Sequence, residues 1–234
     1  MAVKVDTQKE IVFGSSDPKV SRVLSKKVKD GELRKVAPRI YTTNLIDSLE
    51  NIVRRNLIDI LVYRYPAALI SHRSAKEMRP TATGDFFLTN STTRRVTDLP
   101  GITLNFAKGP KASSHDIPFM GMHISGEHRY MLENMQVSRK SGDESRVLPV
   151  SAIENKLEQI LLTGGEDRLN QYRDELRSVA EELDMQTEFA KINNIISALL
   201  STHDAKVLST DSAKALAVGS PFDKTRVELF SPPI

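Results

Sequence analysis

The sequence has 234 residues, of which 39% are hydrophobic and 27% are charged, and this composition is ordinary for one large globular domain or two small ones. It contains no cysteine, which excludes a disulfide framework, a thiolate zinc site and a cysteine nucleophile. The N-terminus lacks the apolar core of a signal peptide and no segment approaches about 18 apolar residues in a row, so we expect a cytoplasmic protein without a membrane span.

The net charge of +3 is distributed unevenly along the chain. The segment Asp17–Tyr41 carries eight lysines and arginines against three acidic residues, a balance of +5. The segment Val150–Asp184 carries four against nine, a balance of −5. A basic segment near one end of the chain and an acidic segment elsewhere are typical of a protein that binds a polyanion at the basic end. Solvent-exposed faces without a ligand produce the same pattern.

The first predicted helix begins at Asp17-Pro18, because Asp caps free N–H groups and Pro suits the first helical position. Gly31 is expected to end it. Helical spacing places the valines and Leu24 of this segment on one side and its basic residues on a narrow arc opposite. The residues of this basic arc are Lys19, Arg22, Lys26 and Lys29.

Two short β-prone runs follow this helix at residues 33–36 and 40–42, hinged at Ala37-Pro38, and they predict a hairpin. The hairpin is also basic, through Arg34, Lys35 and Arg39. A basic helix followed by a basic hairpin is the order of a recognition helix and its wing, in which the helix enters a major groove and the hairpin touches phosphates. We therefore expect these three residues and the helix arc to contact duplex DNA.

Beyond the hairpin, the apolar spacing predicts an amphipathic helix from Leu49 to just before Pro66, a short strand and then a helical turn near Ser71. Strands are expected between residues 84 and 107 and over 117–124, followed by a helix over 125–135 and three helical runs up to residue 199. The predicted fold class is α+β, with a winged-helix-like unit at 1–66, a mixed, β-rich middle region at 67–147 and a helical C-terminal subdomain at 148–234. The residues expected to be buried are Leu57, Ile60, Leu61, Ile70, Leu161, Leu176, Ile196 and Leu199.

Three motifs resemble the AbiEi-type antitoxins, a family of transcriptional regulators from toxin–antitoxin systems. GELRKVAPRIYTTN resembles their junction of recognition helix and wing, although Arg39 stands where the family often has glycine. ALISHRSA resembles their Ser-His-x-Ser-Ala segment. FMGMHISGEHRYMLENM stands where they carry a strand and an Arg-x-x-Leu helix, here with Arg129, Leu132 and Glu133. Met1–Ser16 leaves little room for the two helices that precede a recognition helix in a full winged helix.

The whole chain, including GSPFDKTRVELF near its end, is also similar to the region that precedes the catalytic domain in long Fic proteins, which transfer AMP or a related group to target hydroxyls. No histidine is followed by proline, as a Fic catalytic loop would require, and there is no phosphate-binding glycine loop. His72 lies between two serines, but no carboxylate adjoins it and helical neighbours point in different directions, so a packed histidine beneath a capping Ser71 is the favoured interpretation over a catalytic base. A metal cluster of His115, His123 and His128 is not expected from their spacing.

These observations predict a regulator or antitoxin-like module that has no catalytic centre, cofactor or metal. It would bind duplex DNA, such as its own promoter, through Asp17–Tyr41, and a protein partner, such as a cognate toxin, through its helical C-terminal part. The alternative is a non-catalytic interaction region of a Fic-type AMP transferase that contacts the Fic catalytic domain. An independent enzyme that uses His72 is a third, less favoured possibility.

Overall fold

The computed structural model describes residues 8–91 and 95–218, and the fold is α+β, as predicted. The N-terminal unit consists of a strand, a helix and a hairpin: β1 (Ile11–Phe13), α1 (Pro18–Lys29), β2 (Arg34–Ala37) and β3 (Ile40–Thr42). The three strands form an antiparallel sheet in the order β1-β3-β2. This is a winged-helix-like arrangement, in which the wing hairpin follows the helix and its second strand pairs with the strand before the helix.

The ends of α1 follow the predicted signals. The Asp17 carboxylate accepts a hydrogen bond from the Lys19 backbone N–H at 2.8 Å, and Pro18 takes the first helical position. Gly31 has a φ of +77°, the left-handed conformation that ends helices. Leu24 is fully buried in a small cluster with Val12 and Leu33, so the apolar side of α1 packs on the sheet.

The wing turn places an arginine in a conformation that glycine adopts more easily. Pro38 and Arg39 join β2 to β3, and Arg39 has a φ of +62°, the left-handed region that glycine would enter without strain. Proline followed by a positive φ is the pattern of a type II turn. The hairpin is therefore kept, with strain at Arg39.

The predicted single helix before Pro66 is wrong, because two helices occupy the segment: α2 (Leu49–Arg55) and α3 (Leu57–Arg64). They separate at Asn56, whose backbone leaves the helical region and whose side-chain amide donates to the Ile52 carbonyl at 2.8 Å. An asparagine side chain that bonds to nearby backbone competes with the helix in this way.

A mixed six-stranded sheet forms the middle of the molecule, in the order β6-β7-β5-β4-β9-β8. Its strands are β4 (Leu69–Ile70), β5 (Asp85–Asn90), β6 (Arg95–Leu99), β7 (Ile102–Lys108), β8 (Ile117–Phe119) and β9 (Met122–Ile124). Two short helices flank it, α4 (His72–Glu77) and α5 (Glu127–Glu133). The single strand expected over 117–124 is a hairpin instead, since Met120 and Gly121 turn with positive φ.

One apolar core joins the N-terminal unit to the middle region. It runs from Ile11 and Ile40 through the buried faces of α2 and α3 to the six-stranded sheet. Tyr63 strengthens the junction, because its ring stacks on Phe13 at 4.3 Å between centroids and its hydroxyl donates to the Gly14 carbonyl at 2.6 Å. The N-terminal unit is therefore packed firmly on α3.

Two long helices, α6 (Val150–Leu183) and α7 (Gln186–Val218), form the C-terminal part and share a second core with α5. The first two of the three predicted helical runs form the single helix α6, which is kinked where Gly165 adopts a non-helical φ of +71°. Seven of the eight residues expected to be buried are buried, and the prediction for Leu199 is wrong, since it is only partly buried at the edge of this core.

The predicted boundaries after residues 66 and 147 stay predictions. The GSPFDKTRVELF segment at 219–230 and the first residues of the chain lie outside the described residues. Among the described helices, none has both the length and the apolar composition that crossing a membrane requires.

Candidate functional site

The outer face of α1 carries the predicted basic arc. Lys19, Arg22, Lys26 and Lys29 are all exposed. Within the part of the chain that the structure describes, none of the four forms an ion pair, whereas the neighbouring Lys27 pairs with Glu32. Arg22, Lys26 and Lys29 line a surface depression of about 390 Å³ together with Ser21 and Ser25. This face presents positive charge and hydroxyl groups to solvent.

The predicted wing residues divide into two kinds. Lys35 and Arg39 are exposed. Arg34 is partly buried, and its guanidinium donates to the Asp47 carbonyl at 2.8 Å, which ties β2 to the loop before α2. Arg34 therefore has a structural contact, and Lys35 and Arg39 are the wing cations that are open to a ligand.

The wing turn lies beside the N-terminal end of α1. The Gly14 backbone N–H donates to the Arg39 carbonyl at 2.8 Å, only three residues before the helix cap at Asp17. A Cβ at Gly14 would stand 3.3 Å from the Arg39 Cβ, so the two backbones touch closely. Arg39 and Lys19 therefore both lie near the N-terminal end of α1.

The unit differs from a full helix-turn-helix in one respect. Only residues 14–17 separate β1 from α1, so no positioning helix stands between them. In place of a positioning helix, α1 packs on the sheet through the Leu24 cluster, and the segment before α1 is held on α3 by the Tyr63 contacts.

A half-exposed ion cluster holds the base of the N-terminal unit. Glu10 accepts hydrogen bonds from the Arg55 guanidinium and from the side-chain amides of Asn44 and Asn56, at 3.0 and 2.7 Å for the amides. The hydrogen bond from Arg55, followed by those from the amides, lowers the pKa of Glu10 from 4.5 to about 2. Asp47 is the second carboxylate on Arg55, at 2.6 Å.

The middle region holds a second polar cluster, buried around His72. Ser71 and His72 are almost completely inaccessible, and Ser71 Oγ lies 2.9 Å from His72 Nδ1. Thr89 donates to Ser71 Oγ at 2.8 Å, and His72 Nε2 lies 3.2 Å from the Gln136 side-chain oxygen. An amide oxygen only accepts, so Nε2 carries the proton and Nδ1 accepts from Ser71. The hydrogen bonds thus run in one direction from Thr89 to Gln136.

The sequence interpretation of His72 is corrected in two ways. The adjacent Ser71 and His72 side chains do meet, because His72 has a φ of +54° and this rotates its ring towards Ser71. Ser71 makes no side-chain cap bond to α4. Burial lowers the pKa of His72 below 6.5, more than the opposing attraction of Glu133 raises it, so the ring is neutral.

Arg129 is the centre of the same buried region. Its guanidinium, 1% exposed, binds Asp116 at 2.7 Å and Glu133 at 3.0 Å and also donates to the carbonyls of Pro110 and Lys111. Glu133 also accepts the His72 backbone N–H at 2.9 Å and the Ser125 hydroxyl at 2.8 Å. The motif residues Arg129 and Glu133 therefore tie α5 to the loop before β8 and to the start of α4.

Among the described residues, the three histidines considered as metal ligands do not form a metal-binding group. His115 pairs with Glu182 and His128 with Glu175, both on α6, and His123 lies in β9. The described residues bring together a different group, Glu166, His203 and Asp204, whose possible ligand atoms lie within 4.8 Å of one another at the surface. His203 pairs with Glu166 at 2.9 Å, and this contact joins α7 to α6 just after the Gly165 kink.

The sequence did not indicate the partners of Arg129. One signal was present: Arg129 and Glu133 are spaced i, i+4 in the otherwise apolar run RYMLE, a pattern that fits a buried pair. Asp116 lies 13 residues earlier in a loop, and no local pattern links it to them.

No family model matches the chain, and comparison with curated proteins and with solved structures gives no match.

Proposed function

We propose that the protein is an antitoxin-like transcriptional regulator of the cytoplasm that binds duplex DNA through α1 and the β2–β3 wing. The observation that carries the proposal is the outer face of α1, where four cations are exposed and have no ion-pair partner among the described residues. Lys35 and Arg39 extend this charge onto the wing. Cations that the fold does not neutralise are available to phosphates.

The dimensions of α1 support insertion into a groove. Its 12 residues span about 18 Å, and the major groove, about 12 Å wide, admits one helix. Arg22 and Lys26 lie in the middle of the helix, so we assign them to base edges. Lys19, Lys29 and the wing residues lie nearer the ends and are assigned to the phosphates.

The acidic helical part would contact a protein partner such as a cognate toxin, which is the partner that a resemblance to AbiEi-type antitoxins implies. The α6 segment combines the −5 charge balance with an exposed apolar side chain at Leu162. The rival function is a non-catalytic interaction region of a Fic-type AMP transferase. The absence of a helix between β1 and α1 favours this rival, because it removes one support of a DNA-binding helix.

Fluorescence anisotropy with duplex DNA from upstream of the gene, measured across a salt series, tests the proposal. The test variant is Arg22→Ala with Lys26→Ala. The matched control is Arg79→Ala with Lys111→Ala, which removes the same charge from exposed positions outside the N-terminal unit. Each lost phosphate contact lowers the slope of log K against log salt by about 0.9. A lost base contact costs about 1–3 kcal/mol on the specific site alone.

We expect the Arg22 and Lys26 variant to lose specific affinity while the control keeps it. If the two variants bind equally well at every salt concentration, the DNA-binding proposal is wrong. Binding by the wild type that is weak and disappears at physiological salt would favour the Fic-type interaction region.

A further inference from the structure

A cavity of about 480 Å³ lies between the six-stranded sheet and the segment 137–146, and His72 is among the residues that line it. Its volume falls within the range of about 300–1,000 Å³ that is typical of small-molecule sites. The site is separate from α1 and the wing, and the inference drawn from it does not depend on DNA binding.

The cavity floor is apolar. Phe87 contributes a buried ring from β5, and Ala107 adds a methyl group from the neighbouring β7. The ring of Phe106 lies on the opposite face of the sheet, where it packs against Tyr65. Val96 and Val137 stand on the walls and are 62% and 78% exposed. One exposed valine is ordinary, but two that face one cavity leave apolar surface for a ligand to cover.

The rim of the cavity is basic. Arg139, Lys140 and Arg146 line it together with the carboxylate of Glu144. Lys140 also contacts Asp85 at 3.2 Å, and that carboxylate is buried and accepts the Asn105 amide at 2.6 Å. The cavity thus combines an apolar floor with excess positive charge at its mouth.

The segment that forms the mouth is held in place by the rest of the fold. The Arg146 guanidinium donates to the Val137 carbonyl at 2.8 Å and closes the segment into a loop. Arg73 binds this loop, because its backbone N–H donates to the Arg146 carbonyl at 3.0 Å. The Arg73 guanidinium is in turn fixed by Glu77 at 3.0 Å. A site whose walls are fixed before binding loses less entropy when it binds a ligand.

We propose that this cavity binds a small organic anion, with an apolar or aromatic body on Phe87 and Ala107 and a carboxylate or phosphate at Arg139 and Lys140. Binding buries the exposed faces of Val96 and Val137 and neutralises the basic rim. In a DNA-binding regulator, such a ligand is an effector that occupies a different part of the fold from the DNA.

The probe is 8-anilinonaphthalene-1-sulfonate, an aromatic anion, and its neutral counterpart is N-phenyl-1-naphthylamine. The test variant is Val137→Glu, which places a like charge at the mouth. The control is Leu162→Glu, the same change at a position that is 74% exposed on α6. Arg139→Ala is a second test variant. Equal unfolding temperatures establish that the three variants are folded.

We expect one saturable site for the sulfonate, weakened about tenfold or more by Val137→Glu, weakened by Arg139→Ala and unchanged by Leu162→Glu. Displacement by 1-naphthoate and by 1-naphthyl phosphate then shows whether a carboxylate or a phosphate is preferred. Absence of a saturable site, or equal binding by Val137→Glu and Leu162→Glu, would overturn the proposal. Equally tight binding of the neutral naphthylamine would overturn the assignment to an anion.

Discussion

The N-terminal unit and the middle region both contain arginine and lysine, but they use these charges in opposite ways. On α1, Arg22 and Lys26 face solvent and have no ion-pair partner in the described part of the chain. In α5, Arg129 is 1% exposed, and its guanidinium is bound by Asp116, Glu133 and two carbonyl oxygens. Charges that the fold satisfies maintain the structure, and charges that it leaves unsatisfied are available for binding.

A third arrangement lies between these two. Glu10, Arg55 and Asp47 form a cluster at the base of the N-terminal unit, and their side chains are 27–43% exposed. Water screens such contacts in part, so removing one partner from them costs less than removing one partner from the buried Arg129 cluster. The three sites therefore form a series from buried to exposed, and three variants test it.

The largest effect is expected for Arg129→Met, which keeps the length of the side chain and removes its charge. Asp116 and Glu133 then remain buried without their cation, and breaking a buried pair in this way costs about 3–5 kcal/mol. Urea unfolding measures the loss. The control is Arg168→Met, where a 44% exposed arginine pairs with Glu175 and the expected loss is about 0–1 kcal/mol. Equal losses in the two variants would contradict the ranking.

A smaller effect is expected for Glu10→Gln, about 1 kcal/mol at pH 7 after allowance for partial exposure. Because Arg55 lowers the pKa of Glu10 from 4.5 to about 2, the ionised carboxylate stabilises the folded state fully above pH 4.5. This contribution is lost as the pH falls from 4.5 through about 2.

The measurement is the difference in unfolding free energy between wild type and Glu10→Gln at pH 7 and pH 3, since the difference isolates Glu10 from other carboxylates. The matched control is Glu32→Gln, which removes only the surface pair with Lys27. A difference that grows towards pH 3 would show that the cluster does not hold Glu10 in its ionised form.

The smallest effect on stability is expected for Arg22→Ala with Lys26→Ala. Neither side chain has an ion-pair partner among the described residues, and alanine is the best helix former, so the unfolding free energy should change by less than about 0.5 kcal/mol. Thermal unfolding measures this change. A loss of unfolding free energy above about 2 kcal/mol would mean that the two residues stabilise the fold and are not simply exposed for binding.

The local elements of this protein follow directly from its sequence. Asp17-Pro18 and Gly31 set the ends of α1, the apolar spacing separates its buried and exposed sides, and alternating runs mark the strands of the sheet. These features depend on a few neighbouring residues, because caps, turns and periodicity are local. The apolar spacing predicted one helix before Pro66, but the structure has two, because the Asn56 side chain bonds to the backbone and interrupts the helix.

Only the tertiary structure decided which polar residues meet. Ser71 and Thr89 lie 18 positions apart, Arg129 and Asp116 lie 13 apart, and His72 and Gln136 lie 64 apart. The cavity likewise joins Val96 on a strand to Val137 in a loop. Such pairs form when strand order and helix packing bring distant segments together, and the free energy that does so comes from burying the whole core. The sequence therefore determined which residues could carry charge and form elements, and the packing decided which charges became part of the interior and which remained on the surface.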